Sequence, residues 1–223
     1  MVKLTWLGHA AWEITGSKTV LVDPFLNDNP AAPKKAADIT EADVVAVTHD
    51  HFDHMADAPD ILKRTGATLV ATYEVATYLS EKHGIKAEGG NIGGSITVDG
   101  VTCHMVQAWH TAGRGAPTGF VIEMDGRKIY HMADTGLFGD LALLGEIFQP
   151  DVLLVPIGDR FTMGPPSAAR AVGMVKPKVA IPMHYNTWPP IEQDPNVWKE
   201  LAAKEAPETE IVILGPGESY ELK

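Results

Sequence analysis

The chain is predicted to fold as a single domain of the α/β (α+β) class, and three observations carry that reading. Apolar, β-branched runs alternate with helical spacings between residues 43 and 83, the pattern of helices packed on a sheet. From Gly89 onward the pattern changes to antiparallel hairpins. They are marked by Asp99-Gly100 and Asp125-Gly126, each a type I′ turn signal between two strand-like runs. The 223 residues are 45% hydrophobic and 21% charged, a globular composition that fits one large domain, and no linker or low-complexity tract divides them.

In order, residues 3–7, 11–15 and 19–22 read as a three-stranded meander, punctuated by Gly8 and His9 and then by Gly16-Ser17. Asp23-Pro24 stops the third strand, because proline cannot donate to a ladder and restricts the residue before it. Residues 27–35 are rich in Pro, Ala and Asn and read as a loop, and 43–47 is a short buried strand. A helix over 58–64 has Pro59 in its first turn; a strand at 68–71 and a helix at 73–83, ended by Gly84, follow. The hairpin strands are 95–98 with 101–108 and 119–123 with 128–131. Helices are expected at 138–147, 167–175 and 196–204, and strands at 152–155, 178–182, 211–214 and 218–222.

The organising stretch is Thr48-His49-Asp50-His51-Phe52-Asp53-His54, three histidines and two aspartates directly after the strand at 43–47. Imidazole nitrogen and carboxylate oxygen are the donors that zinc and its neighbours prefer. Histidine or aspartate recurs at the ends of other predicted strands, at Asp23, His110, Asp134 and His184. A strand end followed by a loop is where α/β proteins place their sites. Asp23 is read either as a loop cap or as a carboxylate that orients the histidines.

Net charge is -11, from 18 Lys and Arg against 29 Asp and Glu, which argues against a nucleic-acid or anionic-membrane binder. The single Cys103 cannot form an intramolecular disulfide and reads as a small strand residue. The first residues lack a signal-peptide core and no run approaches about 20 apolar residues, so a cytoplasmic protein is expected.

The motifs Leu21-Val22-Asp23-Pro24, Thr48-His49-x-His51-x-Asp53-His54, Trp109-His110, His131-Met132-Ala133-Asp134-Thr135 and Pro182-Met183-His184-Tyr185 occur in this order along most of the chain. With them the chain resembles the metallo-β-lactamase superfamily. Leu7-Gly8-His9-Ala10, Phe161-Thr162-Met163-Gly164-Pro165 and His184-Tyr185-Asn186-Thr187 carry a narrower resemblance, to UPF0173-type metal-dependent hydrolases, relatives of ascorbate-phosphate lactonases. The resemblance implies a four-layer αββα sandwich with a dinuclear site at one edge. It assigns His49, His51 and His110 to one ion, Asp53, His54 and His184 to a second, and Asp134 as the bridge. It implies two divalent ions, zinc foremost, with Mn, Ni or Fe as alternatives. The implied chemistry is attack of a metal-bridging hydroxide on a small ester, lactone, amide or phosphodiester. One departure is Ala133, where glycine is expected before the bridging aspartate.

Asp53 is the expected proton shuttle, and His9 is expected to line the pocket and touch substrate. His131 falls on the opposite strand face from Asp134 and reads as structural, as do His83 and His104. Arg114 and Arg160, in loops near ligands, are candidates for binding a substrate phosphate or carboxylate. Three other readings share the motifs. A di-iron oxidoreductase of this fold would carry glutamate where His51 stands. An RNA phosphodiesterase would need an RNA-gripping arm, which the acidic chain does not suggest. A non-catalytic metal scaffold conflicts with a complete ligand set. The expected partner is a small-molecule substrate, and Trp188-Pro189-Pro190, read as exposed, suggests a homo-oligomer.

Overall fold

The amino-terminal meander forms as predicted. Strands β1 (Val2–Trp6), β2 (Trp12–Thr15) and β3 (Thr19–Val22) pair antiparallel, with Leu4 opposite Ile14 and Ile14 opposite Val20. The structure, a computed structural model, describes residues 1–222. Beyond β3 the sheet continues in parallel through β4 (Val44–Ala46), β5 (Thr68–Thr72) and β6 (Ala87–Gly90). The second sheet repeats the plan. Strands β7 (Ser95–Val98), β8 (Val101–Gln107), β9 (Thr118–Met124) and β10 (Arg127–His131) are antiparallel, and β11 (Val152–Pro156), β12 (Val179–Met183) and β13 (Glu210–Ile211) add in parallel. Strand β14 (Ser219–Leu222) returns to the first sheet beside β1, so each sheet has seven strands.

Both turns predicted as type I′ have positive φ at both central residues, 49° and 89° at Asp99-Gly100 and 54° and 71° at Asp125-Gly126. The inner parallel strands β4, β5, β11 and β12 read as nearly continuous apolar runs because both of their faces are buried. Val20, Val22, Val44, Ala46 and Val70 face the second sheet, whereas Leu21, Val45, Leu69 and Ala71 belong to a separate cluster. That cluster includes Ile61 and Leu62 of α2 (Ala58–Thr65) and Val75 and Leu79 of α3 (Tyr73–His83). On the far face of the second sheet, Leu141 of α4 (Leu141–Phe148), Ala168 and Val172 of α5 (Pro165–Val175) and Trp198 of α6 (Pro195–Glu205) join the main core. The layers therefore run helix, sheet, sheet, helix, the αββα sandwich expected. Cys103 is buried within it, and burial pushes its thiol up to about 12, as suits an inert packing residue.

Several boundaries differ from expectation for identifiable reasons. The Ala-Glu-Gly-Gly strand β6 has no strand propensity of its own; it forms on the open edge of β5. A Cβ at Gly89 would sit 3.0 Å from the Tyr73 Cα, so glycine lets α3 lie close over this edge. The helix expected from 138 begins only at Leu141, after Gly139, while Phe138 turns into the core. Helix α5 starts two residues early because Pro165 occupies its first position. The strand expected at 211–214 pairs only at Glu210–Ile211.

Candidate metal centre

Strand direction explains how distant residues meet. In the first sheet β1, β3 and β4 point the same way, because two antiparallel steps separate β1 from β3 and β4 is parallel to β3. In the second, β8, β10, β11 and β12 share one direction by the same count. The segments leaving the carboxyl ends of these strands carry His9, Asp23, the 49–54 cluster, His110, Asp134 and His184. Four of the exits turn sharply through left-handed backbone, with φ of 55° at His9, 45° at Asp23, 61° at Ala133 and 55° at His184. Such conformations are strained for residues with a Cβ and concentrate at functional sites. The value at Ala133 gives the physical reason glycine was expected there.

Three donor groups result, each with its ligand atoms within 4.8 Å of one another: His49, His51 and His110; His9, Asp53, His54 and His184; and His49, His54 and Asp134. The first is the triad assigned to one ion. The second contains the three residues assigned to the other, with His9 added. Asp134 lies between the groups. Its Oδ1 is 3.3 Å from His54 Nε2, and its Oδ2 is 3.0 Å from His184 Nε2 and 3.6 Å from His110 Nε2. Asp53 and His54 lie on α1 (Phe52–Met55), a single helical turn that the sequence reading did not include.

The surrounding hydrogen bonds decide which ring nitrogens face inward. Asp23 is fully buried; its Oδ2 accepts from His54 Nδ1 at 2.7 Å and from the Thr48 hydroxyl at 2.7 Å, and its Oδ1 accepts from the Thr48 amide. Since the Thr48 hydroxyl donates to Asp23, it accepts from His49 Nδ1 at 2.9 Å. Both histidines thus carry a proton on Nδ1 and turn Nε2 toward the centre. Of the two readings of Asp23, the geometry is that of the orienting carboxylate.

Around that centre His54 Nε2, Asp134 Oδ1 and His184 Nε2 are buried without a hydrogen-bond partner. Leaving several such atoms unpaired is costly, and a cation would satisfy them together. The electrostatics agree. Burial opposes charge on His54, but Asp134 and Asp23 outweigh it and hold its pKa well above the usual range. Burial likewise opposes ionisation of Asp134, which His184 and His54 overcome, keeping it well below the usual carboxylate range. Burial and the neighbouring His54 lower His49 to about 2, so that imidazole stays neutral and free to ligate. The donor set and its unpaired atoms therefore fit divalent cations.

His9 is placed differently from the expectation that it touches substrate. It is fully buried behind Asp53, its Nε2 3.1 Å from Asp53 Oδ2 and its Nδ1 2.8 Å from the Thr187 hydroxyl. Burial lowers it to about 3. His131 stays outside the donor groups, as read, yet its Nε2 donates to the Ala10 carbonyl and its Nδ1 accepts from the Ala133 amide. It therefore ties the His9 turn to the turn that carries Asp134. Arg114 is engaged by Asp50 at 3.1 Å and lies 3.8 Å over the Tyr78 ring, and Arg160 stands over Phe161. Trp188 is half-buried and packs against His9 and Phe52, a cleft wall rather than the exposed oligomer signal expected. Thr48, Thr135 and Thr187 stand within the quoted motifs but were given no role in the sequence. Thr135 joins two site loops, accepting from the Trp109 amide through its hydroxyl and from the Met163 amide through its carbonyl.

A two-sheet sandwich with this donor set at one edge defines a metallo-β-lactamase-type protein, and residues 18–185 match the family model described as "Beta-lactamase superfamily domain". The chain belongs to that superfamily and, within it, to the UPF0173 metal-dependent hydrolase family. It is 51% identical over 229 residues to the UPF0173 metal-dependent hydrolase of Thermococcus onnurineus, covering 100% of both chains. It is 48% identical to that of Methanopyrus kandleri, covering 99% of this chain and 100% of the relative. Among solved structures it is similar to Igni18, a metallo hydrolase from Ignicoccus hospitalis. That likeness has a TM-score of 0.92 at 37% identity and covers 100% of this chain and 99% of the other. No helix among the described residues is long and apolar enough to cross a membrane.

Proposed function

We propose that this protein is a dinuclear metal-dependent hydrolase that cleaves a small ester, lactone, amide or phosphodiester. The observation that carries the reading is the placement of Asp134 between the His49/His51/His110 group and the Asp53/His54/His184 group, with buried nitrogen and oxygen atoms left unpaired around it. The relatives' description as metal-dependent hydrolases supports it. A pair of divalent cations, zinc foremost, would supply a Lewis acid and a water acidified toward neutral pH.

The chain's own residues do the rest. Asp134 and the six other donors assigned to the site would hold the cations, and they keep bulk water from the buried side of the centre. Asp53 is half-buried on the cleft wall, with Oδ2 held by His9. Burial opposes its ionisation, but the bond from His9 and the proximity of His54 keep it below the usual carboxylate range, so it is a base at neutral pH. It accepts the proton released when water attacks and returns it to the leaving oxygen or nitrogen, which balances the hydrolysis. His9 acts by positioning Asp53, and His51 in place of glutamate favours hydrolysis over di-iron oxidation.

The test is turnover of nitrophenyl esters, lactones and phosphodiesters before and after chelation, with Asp53→Asn alongside. Activity that is lost with the metal and restored by zinc or manganese supports the reading. The variant should lose about 10²-fold or more in kcat with little change in KM. Activity that survives complete metal removal would sink it.

A further inference from the structure

The rim of the metal centre is aromatic. Phe52 and Phe161 are 64% and 55% exposed, and Trp188 packs edge-on to His9 and 6.0 Å from Phe52, with the buried Phe25 behind both. Phe52, Phe161 and Trp188 line one cleft of about 510 Å³, whose floor is formed by Asp134, His184 and their fellow ligands. That volume is within the range of small-molecule sites. Solvated rings on neighbouring segments are unfavourable in isolation, and gathered on one concave surface they form the kind of patch that covers an apolar ligand.

Among the described residues no lysine or arginine lines this cleft. Arg114 is tied down twice, by the ion pair to Asp50 and by stacking on Tyr78, and Arg160, its guanidinium 5.5 Å from the Phe161 ring centroid, is not among the residues that line the cleft. Phosphate and carboxylate groups remote from a reacting centre are recognised by free guanidinium forks or ammonium groups. Here the walls offer rings instead. The cations would engage the reacting carbonyl of any substrate, so the walls decide what the rest of it is.

We infer that the substrate is a neutral carboxylic ester, lactone or amide whose acyl or aryl portion is apolar and packs against Phe52, Phe161 and Trp188. This rests on the hydrolase reading above. It narrows that reading, setting aside substrates with a remote phosphate or carboxylate.

The test uses the metal-loaded chain and nitrophenyl esters of increasing acyl length, from acetate to hexanoate, together with the pentanoate and the equally long glutarate half-ester. The expected kcat/KM rises about two- to fourfold per added methylene, the range for partial to full burial of each group. The pentanoate should exceed the glutarate about tenfold, and Phe52→Ala and Phe161→Ala should flatten the length dependence. A flat or falling series, or preference for the glutarate, would overturn the inference while leaving the hydrolase reading intact.

Binding of the uncleavable ketone 4-phenylbutan-2-one, followed by tryptophan fluorescence against Trp188→Phe, supplies a readout independent of turnover. If no ester, lactone, amide or phosphodiester is cleaved, the hydrolase reading fails and this binding decides. A saturable signal absent from the variant supports the apolar cleft, and no signal in either protein overturns it.

Discussion

Asp23 and His54 share a hydrogen bond of 2.7 Å between Oδ2 and Nδ1, and neither side chain is exposed to solvent. Through Thr48 the same carboxylate also fixes His49, so one residue that never reaches the centre sets the orientation of two histidines of the donor groups. Asp23→Ala is therefore expected to weaken metal affinity about 10- to 100-fold. Thr48→Val, which releases only His49, should have a smaller effect. Competition titration against a chelator of known affinity measures both, and equal affinity in Asp23→Ala and the parent chain would refute the orienting role.

Ala133 adopts φ 61° immediately before Asp134, with its amide held by His131. A Cβ in this conformation costs roughly 1–2 kcal/mol, part of which glycine recovers after its own larger loss of chain entropy. Ala133→Gly should raise unfolding stability by about 0.5–1 kcal/mol with metal binding retained, whereas Ala133→Val should lower stability by about 1–2 kcal/mol. Thermal and denaturant unfolding of the two variants decides this.

Asp151 accepts from Lys178 Nζ at 2.7 Å and from the Lys128 amide at 2.9 Å, joining β10 to the chain entering β12. Burial opposes its ionisation, but Lys178 and the Lys128 amide prevail and hold its pKa below the usual carboxylate range. A lowered folded-state pKa contributes stability that is present above the ordinary carboxylate pKa of about 4 and lost as pH falls through the folded value. Asp151→Asn should therefore be less stable than the parent by about 1 kcal/mol or less at pH 7, given the solvent around the pair. The gap should close below about pH 4, and a gap unchanged across that range would contradict the assignment.

The residues of the three donor groups were legible in the sequence because each is a rare, chemically distinctive residue at the end of an apolar run, and common strand direction brings such ends together. Hairpin positions were legible from Asp-Gly pairs whose backbone few other residues tolerate. What escaped had no local signal. Thr48, Thr135 and Thr187 are ordinary threonines whose importance arises only from partners many residues away. Strand β6 depends on an edge supplied by β5 rather than on its own residues. His9 was placed near the right neighbours but at the wrong depth, because spacing does not reveal that Thr187 and Asp53 enclose it from both sides. Trp188 was misjudged for the same reason, its flanking prolines suggesting exposure where Phe25 and His9 pack against it.

The central claim is that Asp134 joins two cation sites, and metal stoichiometry tests it most directly. Elemental analysis of protein purified without chelator, beside His110→Ala, should give about two divalent ions per chain in the parent, falling toward one in the variant, because His110 belongs to only one donor group. A single ion in the parent, or no metal after reloading with zinc and with manganese, would contradict the account.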